Sequence, residues 1–335
     1  MGIVASQWSG VKESVFCVGV CAIFLTLCSS AAQAQQTKLY RVGVLVPGET
    51  WYATIDGLRV GLKQLGLEER KHYVLRIRDW KATAKVAEDA ARNFEQEGVD
   101  LIYASSTGSA IAAKRATADI PIVFCAGTDP VALGLVESFA KPGGRLTGVH
   151  YRTTDLTGKR LEILKEMIPK LRRVVTYYNP RTAVAMESSK FAREAARQMH
   201  IEFVERHVAS GDELQAEVRA LGAGEMDAYF AVSDPLAANA AQFIIEAARL
   251  KRLPTMFDFL DFVIKGGLSS YAVSNHEVGR LSAKYVQRIL TGVKPGDLPV
   301  EGVDKIDLVI NLQTAKHIGL TIPPNVLARA DKVIR

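Results

Sequence analysis

Cysteine is scarce in this chain of 335 residues, and where it falls matters more than how often. Three of the four, Cys17, Cys21 and Cys28, sit in an N-terminal stretch that reads as a secretory leader, leaving Cys125 alone. A mature product with one cysteine forms no intrachain disulfide, and Cys125, in the apolar run Ile122 to Cys125, reads as a small core residue. The six histidines show no paired metal-ligand spacing, and no G-x-S-x-G elbow or G-x-G-x-x-G turn occurs. Gly143-Gly144 lacks the Lys-Ser or Lys-Thr of a phosphate loop. These absences leave no catalytic set, so the expectation is a protein that is not an enzyme and needs no cofactor or metal.

No apolar run is long enough to span a bilayer. Val15 to Leu27 is shorter than the roughly 20 residues required. With Lys12 before it and Ala32-Gln33-Ala34 after it, the run reads as a signal peptide, residues 1–34, cleaved before Gln35. Lipidation at Cys28 is disfavoured by the bulky Leu27 preceding it. The expected product is periplasmic and touches the membrane only through a partner. The net charge of +6 survives removal of the leader, because Lys12 and Glu13 cancel. Its basic residues are scattered along amphipathic helices without interleaved aromatics, which argues against nucleic acid.

About three hundred mature residues exceed one comfortable core, so two domains are expected. Strand and helix patterns alternate from Arg41 (RVGVLV) to His150, then restart near Thr157 and run to Phe257. That alternation predicts two Rossmann-like α/β lobes with parallel sheets. The chain is organised around Pro121 to Gly148. There a buried strand is followed by Thr128-Asp129-Pro130, which places Asp129 to cap a short helix and Pro130 at its first position. Pro254 to Phe257 echoes that strand, since both read P-x-x-F and both end in a polar turn containing an aspartate.

Several motifs also carry a resemblance, in one order along nearly the whole mature chain. They are I-P-I-V-F, T-D-P-V-x-x-G-L-V and P-G-G-x-x-T-G in the organising stretch, YNPRTA at Tyr178 to Ala183, the run from Gly267 to Glu301, and NLQTAKHIGLTIPP. The sequence resembles the substrate-binding component of a family of ABC uptake transporters that includes tryptophan- and other aromatic-amino-acid-binding members. Here Cys125-Ala126-Gly127 stands where small hydroxyl or apolar residues are expected. The resemblance implies the type 1 periplasmic binding protein fold, with three hinge strands near His150, Ala272 and Gly302. Lobe 1 is then 35–150 plus 273–302, and lobe 2 is 151–272 plus 303–335. It implies a monomer that binds a small, amino-acid-like ligand between the lobes and delivers it to a permease served by an ATPase. A ligand-sensing periplasmic receptor for a signalling partner is the alternative.

Turns at the carboxyl ends of strands in such lobes face the cleft, and they nominate the ligand-binding residues. Lobe 1 supplies Trp51, Ser105, Ser106, Thr107, Thr128 and Asp129. Lobe 2 supplies Asn179, Asp234 (beside Ser233) and Asp258, while Tyr151 and Tyr271 lie near the hinges. Hydroxyls and free helix N–H groups suit a carboxylate, aspartates an ammonium, and aromatic faces a flat side chain. Each has a plainer use as well. Asp129 and Asp234 precede proline and suit capping, Asn179 suits a turn, and the tyrosines could brace the hinges.

Overall fold

A computed structural model describes residues 38–81 and 83–335. The expected leader lies outside them. Lobe 1 is built on β1 (Tyr40–Val46), β2 (Tyr73–Asp79), β3 (Leu101–Ala104), β4 (Ile122–Ala126), β5 (Leu146–His150) and the short β11 (Glu301–Gly302). They pair in the order β2-β1-β3-β4-β5-β11, every pair parallel. Strands β3, β4 and β5 are buried at every position, the pattern of a sheet covered on both faces. Helices α1 (Tyr52–Gln64), α2 (Ala84–Gln96) and α3 (Thr107–Ala116) follow β1, β2 and β3. The start of α3 is set locally: Ser106 caps it, its Oγ accepting from Ser109 N at 3.1 Å.

Lobe 2 holds β6 (Arg173–Tyr178), β7 (Glu202–His207), β8 (Ala228–Phe230), β9 (Thr255–Phe257), β10 (Ser269–Ala272), β12 (Asp307–Asn311) and β13 (Lys332–Ile334). Their order is β7-β6-β8-β9-β10-β12-β13. This sheet is not wholly parallel as expected: β12 runs antiparallel to β10, because it enters from lobe 1 and not through a covering helix. The helices of this half are α4 (Thr157–Met167), α5 (Ala183–Gln198), α6 (Gly211–Ala220), α7 (Pro235–Asn239), α8 (Ala241–Leu250) and α9 (Leu260–Ile264). After the long α10 (Asn275–Leu290) come the short α11 (Leu312–Ile318) and α12 (Pro324–Leu327). The chain passes between the two sheets three times: from β5 to α4, from β10 to α10, and from β11 to β12.

Helix α10 belongs to the lobe 1 layer, and glycine puts it there. A Cβ on Gly57 of α1 would lie 1.9 Å from the His276 carbonyl oxygen, and one on Gly279 of α10 would lie 1.9 Å from that of Thr54. The two helices therefore touch backbone to backbone, which side chains at either position would forbid. Ser282, one turn on, reaches the sheet, sharing a hydrogen bond with the Cys125 thiol at 3.3 Å. Tyr103 shares another with that thiol at 3.0 Å, and burial pushes the thiol pKa up to about 11. Cys125 is thus the small core residue its sequence context suggests.

One sequence expectation fails in the organising stretch. No helix starts at Pro130; residues 130–134 form turns and 135–139 continue as irregular loop. Asp129 does take up its capping role, accepting from Val131 N at 2.8 Å and Ala132 N at 3.3 Å. The coil stops at Gly134, whose left-handed backbone (φ 62°) turns the chain away after one turn.

Candidate functional site

The carboxyl ends of β1, β3, β5, β8 and β9 converge on one cavity between the lobes. Lobe 1 contributes Trp51, Trp80, Ser106, Thr107, Gly108 and Ile111. Tyr151 and Thr153 come from the first crossing. Lobe 2 contributes Thr182, Ala183 and Val184 at the start of α5, then Ser233, Asp234, Pro235, Asp258 and Phe259.

The aromatic wall is assembled across the cleft. Trp51 ends a short 3-10 turn, Glu49–Trp51, that feeds directly into α1. Its ring meets Phe259 of lobe 2 edge to face at 5.3 Å, and its indole N–H is buried without a hydrogen-bond acceptor. Trp80, just past β2, is fixed by its own N–H, which donates to Ser109 Oγ at 3.1 Å. At the lip the lobes touch directly. Asn239 Nδ2 donates to the Pro47 carbonyl at 2.9 Å, and a Cβ on Gly48 would collide with Asn239 Oδ1 at 2.0 Å.

Two helix starts face each other across the space. Thr107 and Gly108 lead α3, and Ala183 and Val184 lead α5, so their N–H groups have no intrahelical acceptor. The α5 start has no side-chain cap either, since Thr182 makes no capping hydrogen bond. Both ends carry the positive pole of a helix and suit a carboxylate.

The aspartates divide sharply. Asp234 is buried and heavily used: Oδ1 accepts from Leu236 N and Ala237 N, and Oδ2 accepts from Asn179 N at 2.6 Å. Burial outweighs those donors and pushes its carboxyl up to about 6. Asp258 is 7% exposed and its Oδ2 has no partner. Its own pKa is also raised by burial, opposed by the Arg160 charge and by a hydrogen bond from Ser233. Among the described lining residues there is no lysine, arginine or histidine.

Of the nominated residues, the cavity gathers Trp51, Ser106, Thr107, Tyr151, Asp234 and Asp258. Five others do not line it. Ser105 donates to the Leu45 carbonyl at 2.9 Å, tying β3 to β1. Thr128 is wholly buried behind Thr107, whose Oγ1 accepts from Gly127 N at 3.0 Å. Asp129 caps its turn, and Asn179 accepts from Arg181 N with its side chain while its own N–H serves Asp234. Tyr271, on β10 opposite Leu308, packs against two apolar clusters. Sequence reasoning missed Trp80, Ile111, Thr153, the α5 start and Phe259. Only Phe259 had a usable signal, being next to Asp258.

Two α/β lobes joined by three crossings, with a cavity lined from both, define a type 1 periplasmic binding protein. The chain belongs to the ABC transporter substrate binding protein family, whose sequence model matches residues 41–334. Family members are solute-binding proteins, not enzymes, and work outside the cytoplasm as components of transporters. A tyrosine-binding protein of Clostridioides difficile is 28% identical over 265 residues, 79% of this chain and 76% of that protein. A conserved domain protein from Vibrio cholerae is 32% identical, with a TM-score of 0.82 over 88% of this chain and all of that one. An ABC domain from Streptococcus pneumonia, solved in complex with L-Trp, is 24% identical, with a TM-score of 0.80 over 89% of this chain and all of that one.

Proposed function

We propose that this protein is the extracytoplasmic receptor of an ABC uptake transporter and captures an aromatic α-amino acid between its lobes. The observation that carries the reading is the free, buried Oδ2 of Asp258, set among aromatic walls and opposite two helix starts. An ammonium on Asp258, a carboxylate at the α3 and α5 starts, and a flat side chain against Trp51, Trp80 and Phe259 together describe one zwitterion. The tyrosine-binding relative supports the same ligand class.

The ligand would act by closing the cleft. Lobes 35–150 plus 273–302 and 151–272 plus 303–335 move as two bodies about the three crossings. Bound ligand adds contacts that exist only when they close, and the closed form is presented to the permease and its ATPase. No covalent step is involved. The chain is exported by residues 1–34 and acts in the periplasm as a monomer.

Calorimetry on the chain from Gln35 tests this with L-tyrosine, L-tryptophan, L-phenylalanine and L-leucine, and with tyramine and 3-(4-hydroxyphenyl)propionate. An aromatic amino acid is expected to bind, and both truncated analogues to bind at least about tenfold more weakly, since each leaves one pole of the site unmet. Equal affinity for amino acid and amine, or no binding by any aromatic amino acid, would overturn the reading.

A further inference from the structure

Beneath the cavity lies a cation that ligand contact does not use. Arg160 of α4 is 0% exposed, yet among the described residues its guanidinium has no carboxylate within ion-pair distance. Nη1 donates to the Thr153 carbonyl at 3.2 Å, Nη2 donates to Thr157 Oγ1 at 2.9 Å, and Nε is buried without an acceptor. A guanidinium does not give up its proton, and a buried charge without a counter-charge is costly. Helix α4 packs on β9, the strand that ends next to Asp258, and that carboxyl is the charge acting on Arg160.

Hydroxyls lead from Arg160 to the cavity wall. Thr157 Oγ1 shares a hydrogen bond with Ser188 Oγ at 2.9 Å, and Ser188 Oγ accepts from Ser233 N at 3.1 Å. Ser233 Oγ shares one with Thr153 Oγ1 at 3.0 Å, and both residues line the cavity beside Asp258. The buried polar network therefore runs from Arg160 to the cavity wall beside Asp258, and Arg160 and Asp258 each keep an unpartnered atom.

We propose that Arg160 is a positioning residue for ligand recognition: buried behind the same cavity wall, it supplies the positive charge that keeps the Asp258 carboxylate ready, so that the free Oδ2 can receive the ligand's ammonium. The proposal rests on the reading that Asp258 meets the ammonium. The other groups around Asp258 do not supply the charge. Asp234 is itself acidic, and Tyr151 and Tyr229 are phenols whose pKa burial raises further.

The test uses the chain from Gln35 with carboxyl-13C aspartate, its Asp258 signal assigned by loss in Asp258→Asn. In the ligand-free protein Arg160→Met is expected to move the Asp258 titration to higher pH, and Arg160→Lys to leave it close to the parent. At pH 7 Arg160→Met should also lose roughly tenfold or more in L-tyrosine or L-tryptophan affinity, recovered as the pH is raised. An unmoved titration, or the same loss of affinity at every pH, would overturn the proposal. Should Arg160→Met not fold, Thr157→Val takes its place, because it removes the acceptor that aims Nη2. It is expected to move the Asp258 titration the same way by less, and no movement sinks the idea. Should no amino acid bind at all, the ligand assignment fails while the titration still decides whether Arg160 governs Asp258.

Discussion

The turns after β4 and β9 begin from nearly the same letters and end in different work. Each strand reads P-x-x-F and each turn offers an aspartate, Asp129 in lobe 1 and Asp258 in lobe 2. The residue after the aspartate separates them. Pro130 starts a coil at once, so Asp129 binds the N–H groups of Val131 and Ala132 and stays off the cavity. Phe259 comes after Asp258, and α9 begins only at Leu260 with no side-chain cap. Asp258 is thereby left on the cavity with one oxygen free. Asp234 is a third case, also before proline, but its cap lies on the cavity wall. On the proposed reading, the carboxylate that meets the ligand is the one left with an oxygen no neighbour uses.

The largest effect expected from that contrast is on binding. Asp258→Ala should weaken amino-acid affinity by roughly 2–5 kcal/mol, the cost of leaving a buried ligand charge unpaired. Asp129→Ala should leave affinity unchanged and lower stability by about 1 kcal/mol through its lost cap. Calorimetry and melting curves on both variants separate the roles, and equal losses of affinity would break the distinction.

The first helices of the two lobes extend the comparison to stability. Gly57 of α1 meets a carbonyl oxygen of α10, whereas a Cβ on Gly158 of α4 would make only ordinary contact with Ala195 at 3.7 Å. Gly57→Ala is expected to destabilise the protein by about 3 kcal/mol in urea titration, and Gly158→Ala to stabilise it by up to about 1 kcal/mol. Similar midpoints for the two would show that the helix contact relaxes easily.

Asp234 gives the pair of proline-preceding aspartates a pH signature. Its folded-state pKa, about 6, lies above the usual carboxylate value, so the native state holds this proton more tightly than the unfolded chain. That stabilisation is full below the unfolded value and is lost as pH rises past about 6, a change on the order of 2 kcal/mol. Asp234→Asn should therefore gain on the parent as pH rises from about 4 to about 7, measured by urea titration at each pH. A constant difference would mean that the N–H donors offset the burial. The smallest effect belongs to the lip: Asn239→Ala removes one cross-lobe hydrogen bond and should weaken binding by about 1 kcal/mol, through faster release in stopped flow.

Much of the fold was legible in the letters because buried parallel strands are runs of apolar residues between turn signals. RVGVLV, LIYA and IVFCA are of that kind. Asp129 and Asp234 were legible as caps, and Asp258 as the counterpart of the organising turn. Arg160 was not, because in TGKRLEILKEM it reads as one more basic residue on an amphipathic helix. Only the packing of α4 shows that it points inward. Ile111 and Val184 read as core for the same reason, since hydropathy does not distinguish a buried apolar face from one lining a cavity.

Local spacing and a few residue types were enough to encode the alternation of strand and helix, the restart near Thr157, and the turns that carry hydroxyls and carboxylates. Each of these is written within a dozen or so neighbouring residues, where hydropathy period and turn chemistry act. Packing settled the rest: which of those turns share a cavity, that the tail helix α10 lies on lobe 1, and that Asp129 is a cap while Asp258 keeps a free oxygen. These depend on approaches between segments a hundred or more residues apart in the chain, such as Gly57 with His276 and Trp51 with Phe259, which no local pattern records.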